Sequence, residues 1–255
     1  MNVEWILSGL RASVCGLLIA AYGMPALAEA PFPSRPVTTL VPYPAGGAVD
    51  AFVRTLAEAL RVEWKTGIVV DNRPGANEII ASAALAKARP DGYTLMASTE
   101  AATILNPLLF KKLPYDVKEI APISILVRAP LVLAVPVNST TNTLKEFIAL
   151  ARARAADPVR YGSAGTGGTG GTGHLPFIQF ARDHGLQLIH VPYRGGGPLL
   201  QDLLGGQVEA GLLESLDPFG FVAVGSDAAA YAEHTRNEAA AQRKRIESAG
   251  IRLDL

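Results

Sequence analysis

The sequence predicts an α/β fold of two lobes, each built on a mainly parallel sheet. Short apolar runs typical of buried strands alternate with amphipathic or Ala-rich helical segments. Loops rich in glycine and proline join most of these runs to the helix that follows. The apolar run 131–135 lies between Pro130 and Pro136, and it predicts a strand that crosses from one lobe to the other.

The composition predicts a globular chain without a bias toward nucleic acid or anionic membranes. The 255 residues provide room for one large domain or two modest ones, and 49% of them are hydrophobic against 18% charged, which is enough to bury a core. Lys plus Arg equals Asp plus Glu, at 23 each. Because no basic excess is present, we expect no nucleic-acid partner.

Residues 1–28 predict a secretory signal peptide that is cleaved at its end. Arg11 precedes the apolar run 12–21, and Ala-Leu-Ala at 26–28 fits a small-x-small cleavage site. The run is shorter than the roughly 20 residues of a membrane span, although an N-terminal anchor left in place is the alternative. Because the single cysteine, Cys15, lies in this segment, the mature chain would contain no disulfide and no cysteine-based metal site.

The first lobe is predicted to span residues 29–130 and to contain three parallel strands. Apolar runs predict the strands at 37–41, 67–70 and 93–98, and the periodic segments 50–65 and 79–87 predict helices. A polar loop, 99–106, is expected after the third strand. Since parallel strands end at one edge of a sheet, the loops after Val41 and Ser98 should open on the same edge.

The stretch 41–50 has the pattern of an anion site. A strand ends in a loop of Pro, Ala and Gly, and Asp50 then opens a helix. The N–H groups and the dipole at a helix N-terminus favour negative charge, and the adjacent Gly46 and Gly47 let a ligand approach the backbone closely. The alternative is a tight turn that binds nothing.

The second lobe, 131–212, repeats this order of strand, glycine loop and helix twice. Strands are predicted at 159–163 and 187–191, and helices at 144–155, 174–183 and 198–204. Thr143 and Glu146 form a capping box at the first of these helices. A strand that begins at Val208 is expected to stop at Ala210, since 211–214 continue it poorly. The segment 213–255 should carry one charged surface helix, 227–250, that packs back on the first lobe.

Local motifs suggest two classes of enzyme, a dinucleotide-binding enzyme and a hydrolase. The string 165–170 satisfies G-x-G-x-x-G, but no acidic residue follows at the ribose-binding distance, since Asp183 comes too soon. Ser163 lies in an incomplete nucleophile elbow, so a hydrolase built on Ser163 and His174 stays an alternative, with His190 as another possible base. No metal-ligand spacing is present. Capture of a small anion between two lobes fits the remaining loops.

Several strings, in order over residues 33–209, resemble a known family. They include Val-Pro-Tyr-Pro-Ala-Gly-Gly at 41–47, Asp-Asn-Arg-Pro-Gly-Ala at 71–76, Pro-Asp-Gly-Tyr-Thr-Leu at 90–95 and His-Val-Pro-Tyr-Arg-Gly-Gly at 190–196. These strings resemble the signature of the Bug-type substrate-binding receptors of tripartite tricarboxylate transporters. The resemblance implies a two-lobed, type II periplasmic-binding-protein fold of the Venus-flytrap kind.

The resemblance also implies a function. Such a receptor is periplasmic and is not an enzyme; it needs no cofactor and no metal, and as a monomer it delivers a small carboxylate to the permease subunits of a membrane transporter. Two other readings stay open, a ligand-dependent interaction or sensor protein and a non-functional remnant of a receptor.

The family's glycine loop and Ser-Ala-Gly loop clamp a ligand carboxylate, partly through ordered waters. Carried over by position, the ligand-binding residues of the first lobe are Tyr43, Ala45, Gly46, Gly47, Asp50, Ser98 and Thr99. Those of the second lobe are Ser163, Ala164, Gly165, Thr166, His174 and Tyr193.

This chain departs from the family pattern at three places. Asn77-Glu78 replaces two glycines, which should stiffen that loop, and the glycine loop 166–173 is longer than usual. Near 209–213 the sequence passes directly to a segment that resembles the C-terminal part of the family. This indicates an internal deletion and an incomplete second lobe. The missing piece would supply a strand, its covering helices and one of two hinge crossings, so apolar surface of the second lobe should be exposed.

Overall fold

A computed structural model describes residues 31–164, 171–214 and 222–249 of the chain. The strands and helices given below belong to one compact unit, residues 35–255. The predicted signal peptide, Gly165, Thr166 and the glycine string 165–170 lie outside the described residues.

The first lobe is a parallel three-stranded sheet with the strand order β2-β1-β3. Its elements are β1 (Val37–Val41), α1 (Ala48–Trp64), β2 (Ile68–Asn72), α2 (Ile79–Ala86) and β3 (Thr94–Met96). The three predicted strands are confirmed, with Leu40 paired to Asp71 on one side and to Met96 on the other. The third strand is shorter than predicted because Ser98 and Thr99 turn to bind a buried carboxylate in the same lobe.

The predicted polar loop after β3 is wrong, because the chain is helical there. A π-helical turn (Ala101–Leu105) continues into α3 (Asn106–Leu109), and a 3-10 turn (Val117–Glu119) follows. The apolar side chains of this region are buried against Ile246, which lies far along the chain. Local sequence alone does not reveal that partner, and its burial outweighs the weak local pattern.

The second lobe is a four-stranded sheet with the order β5-β8-β6-β7, in which β5 runs antiparallel to β8. Its elements are β5 (Leu131–Ala134), α4 (Leu144–Ala153), β6 (Val159–Ala164), α5 (His174–Asp183), β7 (Leu188–Tyr193), α6 (Gly196–Leu204) and β8 (Ala210–Glu214). The capping box of Thr143 and Glu146 at α4 is confirmed. β6 and β7 pair in parallel through Ala164 and Tyr193, so both end at the same edge.

The expectation that the strand would stop at Ala210 is wrong. β8 continues to Glu214 and pairs with β5 on one side and β6 on the other. Leu213 is buried with Leu199 and Leu203 of α6, and this burial favours the strand despite Gly211.

A pair of short strands lies where the chain passes between the lobes, and residues 215–221, which follow β8, lie outside the described part of the chain. β4 (Val127–Arg128) leads into the second lobe, and β9 (Val222–Ala223) returns from it and pairs with β4 in antiparallel orientation. The expectation that one hinge crossing is missing is therefore wrong. Apolar side chains are exposed on the second lobe, as expected: Leu204 is 72% exposed, and Val132 on the edge strand β5 is 47% exposed.

The last described helix, α7 (Ala228–Ala249), confirms the helix predicted at 227–250. Its Ile246 packs with Ile104, Leu105 and Leu109 of the first lobe, and Leu175 from α5 of the second lobe packs against the same cluster. The C-terminal helix thus helps to join the two lobes.

Gly162 on β6 allows α6 to lie close to the second sheet. A Cβ at this position would collide with Leu199 Cδ1 and would lie 2.9 Å from Tyr193 Cε2. We expect Gly162→Ala to lower the free energy of unfolding by about 1–3 kcal/mol through overpacking, as measured by urea denaturation. Gly67→Ala is the matched control, because its nearest contacts would be at 4.0 Å. Equal stability of Gly162→Ala and the wild type would contradict this packing.

Candidate functional site

A cleft lies where the carboxyl edges of the two sheets meet. The loop after β1 and the loop after β7 come together there, since a Cβ built on Gly195 would lie 3.7 Å from the ring of Pro44. Ligands of open α/β folds sit at this edge of the strands. The glycine loops after β1 and β7 are therefore neighbours, whereas the Ser-Ala-Gly loop that the resemblance pairs with the first of them continues into residues outside the described ranges.

Three helices begin near these strand ends, and each follows a glycine N-cap without a side-chain cap. The N-caps are Gly47 for α1, Gly173 for α5 and Gly195 for α6. The first N–H groups of a helix have no partner within it, and the dipole there favours negative charge. At α5 the N–H groups of His174 and Leu175 already donate to Gly171 O, and the proline that follows has no N–H. The N-termini of α1 and α6 are therefore the ones that suit the binding of anions.

Asp50, a predicted ligand residue, is 2% exposed and is hydrogen-bonded to the loop after β1. One carboxylate oxygen accepts hydrogen bonds from Gly46 N at 2.8 Å and Arg54 Nε at 2.9 Å, and the other accepts from Asn72 Nδ2 at 2.8 Å. Burial alone would raise the pKa of Asp50, but these hydrogen bonds hold it below its ordinary value. The N–H of Gly46, which adopts a φ of +82°, is thus already bonded within the protein.

The other predicted residues of this loop divide between surface and interior. Ala45 and Gly46 are exposed, and Gly47 is half-buried with its N–H 3.4 Å from Pro44 O. Tyr43 is buried beneath them, and its main-chain oxygen accepts from Asn72. The ordered backbone of the loop therefore rests on Tyr43 and Asp50.

Glu78 is the residue that sequence reasoning missed, although Asn77-Glu78 was noted as a departure from the family. Its side chain has no exposed surface. Oε1 accepts from Tyr43 Oη at 3.0 Å, from Thr99 Oγ1 at 2.6 Å and from Thr99 N at 3.3 Å, and Oε2 accepts from Ser98 Oγ at 2.5 Å. Burial raises the pKa of Glu78, and these hydrogen bonds oppose the rise. One carboxylate therefore connects three predicted ligand residues.

The second-lobe residues gather around a pair of stacked histidines. Ser163 at the end of β6 is 2% exposed, and its hydroxyl lies 2.7 Å from Nε2 of His190 on β7. The ring of His174, the first residue of α5, stacks on His190 with centroids 3.8 Å apart. Burial lowers the pKa of both imidazoles to about 4, with the charge of His190 adding to the effect on His174. Both rings are therefore neutral at pH 7.

Tyr193 and Ala164 complete the described part of the second-lobe set. Ala164 is half-buried at the end of β6 and pairs with Tyr193 at the end of β7. Tyr193 Oη donates to Asp202 of α6 at 2.7 Å, and burial together with this carboxylate raises its pKa to about 12. Its hydroxyl group is thus held against the helix below the cleft.

The geometry changes the hydrolase alternative, which paired Ser163 with His174. The hydroxyl of Ser163 instead contacts His190, while His174 stacks on that ring. A histidine with a pKa of about 4 is a weak general base at pH 7. Within the described ranges, no carboxylate is hydrogen-bonded to His190. The pair lacks the third group that orients the base in a triad.

The described part of the chain contains neither a candidate metal site nor a candidate membrane-spanning helix. It contains no group of three or more His, Cys, Asp or Glu side chains arranged to hold a metal ion. None of its helices combines the length and the apolar character that crossing a membrane requires.

The histidine pair should make stability depend on pH. The folded pKa of each, about 4, lies below the ordinary value of about 6.5, so the unfolded chain binds more protons between these values. We expect the stability that this pair contributes to be fully present above pH 6.5 and to be lost toward pH 4, by at most ~1.4 kcal/mol per pH unit for each histidine. Urea denaturation from pH 7.5 to 4.5 measures the slope.

The matched variants for this measurement are His174→Phe and His234→Gln. His174→Phe keeps a ring in the stack and removes one titrating group, so its slope should be smaller than that of the wild type. His234→Gln, on α7, removes a histidine that lies outside the stacked pair and serves as the control for the loss of one imidazole. Parallel curves for the wild type and His174→Phe would refute the assignment.

Comparisons with known proteins agree with the fold. Residues 52–238 match the model of the tripartite tricarboxylate transporter family receptor. Protein BugT of Bordetella pertussis is 35% identical over 201 residues, which cover 78% of this chain and 60% of BugT. MatC of Rhodopseudomonas palustris with bound malate is 28% identical, with a TM-score of 0.62 over 70% of this chain and 60% of MatC.

The periplasmic binding protein BugD shares the fold at 21% identity, with a TM-score of 0.76 over 88% of this chain and 100% of BugD. The chain spans about 60% of the length of BugT and of MatC, which agrees with a shortened second lobe. The fold is that of a two-lobed periplasmic binding protein. The chain belongs to the receptor family of the tripartite tricarboxylate transporters.

Proposed function

We propose that this protein is an extracytoplasmic receptor that captures a small carboxylate between its two lobes for a tripartite tricarboxylate-type transporter. The observation that carries the proposal is the meeting of the N-termini of α1 and α6, neither of which has a side-chain cap, at the facing edges of two sheets. Family membership and the malate held by MatC support the same ligand class.

The second lobe supplies the better anion site. The N-terminus of α6 offers backbone N–H groups, and Ser163 lies beside neutral histidines that do not repel or attract an anion by charge. Arg194 is exposed between Tyr193 and Gly195, and within the described residues it forms no ion pair. A carboxylate entering here would meet donors and a nearby cation.

Closure of the lobes would exclude water from the ligand. The paired strands β4 and β9 are the places where the chain passes between the lobes, so we assign them the hinge. The continuous strand β8 and the pairing of β4 with β9 favour a working receptor over a non-functional remnant.

We place the protein in the periplasm, since BugD is a periplasmic binding protein and residues 1–28 have the pattern of a signal peptide. Its partners would be the small carboxylate and the permease subunits, and we expect it to act as a monomer. We propose no enzymatic activity, because the one Ser–His contact of the described site is buried and its imidazole is weakly basic.

Gly196 offers a test of the anion site at α6. A Cβ on Gly196 meets no atom within 4 Å, so a side chain fits without collision. We expect Gly196→Asp to weaken carboxylate binding at least ~10-fold, because its own negative charge interacts with the helix N-terminus. Gly196→Ala, the matched control, should bind like the wild type.

Calorimetry and thermal melting would be run with malate, succinate, glutarate and the monoamides succinamate and glutaramate. At least one compound should raise the melting temperature of the wild type by several degrees. Failure of all five to bind the wild type would refute the receptor function. Equal binding by Gly196→Asp would refute this location of the site.

A further inference from the structure

The turn that carries Glu78 has an unusual backbone. Ala76, Asn77 and Glu78 all adopt a positive φ, of 46°, 51° and 69°, although none of them is glycine. Such a conformation is costly for residues with a Cβ and persists only where surrounding contacts hold it. Asn106 supplies part of this support, since it accepts a hydrogen bond from the side chain of Asn77 and donates one to its main-chain oxygen.

The contacts of Glu78 supply the remainder of the support and direct its carboxylate under the cleft edge of the first sheet. All four of its hydrogen-bond partners are donors, from Tyr43, Ser98 and Thr99. These are residues that a receptor of this family would offer to a ligand carboxylate. In this chain, a carboxylate of the protein itself already occupies them.

The hydroxyl hydrogens of Ser98 and Thr99 are engaged within the protein whichever form Glu78 takes. With Glu78 ionised, both hydroxyls donate to it. With Glu78 protonated on Oε2, that oxygen donates to Ser98 Oγ, and the Ser98 hydrogen turns to Thr99 O at 2.8 Å. Thr99 Oγ1 also lies 3.3 Å from the N–H of Ala101, from which it accepts. The two oxygens thus offer a ligand lone pairs and no hydrogen.

The charges around Glu78 also disfavour a ligand carboxylate in the first lobe. Within the described residues, Glu78 has no cation among its hydrogen-bond partners. The other carboxylate of the loop, Asp50, already holds the N–H of Gly46. Asp50 is paired with Arg54, so the repulsion of a ligand carboxylate here comes from the ionised form of Glu78.

We propose that Glu78 determines ligand specificity by occupying the carboxylate site of the first lobe from within. The ligand would then carry one carboxylate, held by the second lobe, and at its other end a hydrogen-bond donor such as an amide, a hydroxyl or an ammonium group. Dicarboxylates would bind weakly. This inference rests on the proposed receptor function and names its substrate class.

Matched pairs of ligands test the inference: succinate against succinamate, and glutarate against glutaramate. Each pair differs only by the exchange of one carboxylate for an amide. Calorimetry should give the wild type at least a ~10-fold lower Kd for the better monoamide than for its dicarboxylate.

Glu78→Gln and Glu78→Gly test the residue itself. The glutamine removes the charge and donates to Ser98 Oγ, whose hydrogen then turns to Thr99 O as it does with protonated Glu78, so this variant tests the charge alone. The glycine removes the side chain and tolerates the positive φ at this position, so it keeps the test valid where the glutamine variant does not fold. In each variant the preference should move at least ~10-fold toward the dicarboxylate. This ratio reports selectivity, which a merely structural role would leave unchanged.

Glu100→Gln is the control for a general charge effect. It removes a neighbouring carboxylate that does not bind Ser98 or Thr99, and the ratio should stay within about threefold of the wild type. Equal shifts for Glu100→Gln and Glu78→Gln would overturn the inference. Preference of the wild type for dicarboxylates, or an unchanged ratio in both Glu78 variants, would also overturn it while leaving the receptor function intact. Absence of binding to the wild type and to every variant would refute the receptor function and the inference together.

Discussion

The carboxylate of Glu78 has no contact with solvent, and a carboxylate in such a position must be surrounded by hydrogen-bond donors. The donors come from three separate parts of the first lobe. Tyr43 lies in the loop after β1, Ser98 and Thr99 follow β3, and Glu78 itself lies in the left-handed turn before α2. Removal of one donor would leave a buried charge without its full set of hydrogen bonds, so the three segments hold one another in place.

The second lobe is organised by apolar contact and by a stack of rings. His174 and His190 stack on each other, Tyr161 lies beside them, and Ser163 meets the outer nitrogen of His190. Because burial keeps both imidazoles neutral, this cleft wall carries donors and acceptors without a net charge. The two lobes therefore offer different chemistry to a ligand: buried carboxylates lie in the first, and the N-terminus of α6 and neutral side chains lie in the second.

The shortened chain still completes the connection between its lobes. β8 fills the position between β5 and β6, which would otherwise leave two strand edges unpaired. The paired crossings β4 and β9 bring the chain back to the first lobe, where α7 buries Ile246 against the helical turn after β3. Apolar side chains such as Leu204 are exposed on the surface of the second lobe.

The sequence alone determined the class of fold, most of the strands and helices, and the two glycine loops at the cleft, because these depend on local periodicity and on turn residues. The α5 helix was predicted with its observed bounds, and the capping box of Thr143 and Glu146 is a local motif of this kind. Tertiary structure alone decided the full length of β8, whose two neighbours in the sheet are distant in the chain. It also decided that Asp50 holds Gly46, that Ser163 contacts His190, and that Glu78 lies under Tyr43, Ser98 and Thr99. A linear pattern carries no information on where a buried side chain finds its hydrogen-bond partners, since those partners are brought together only when the sheet forms.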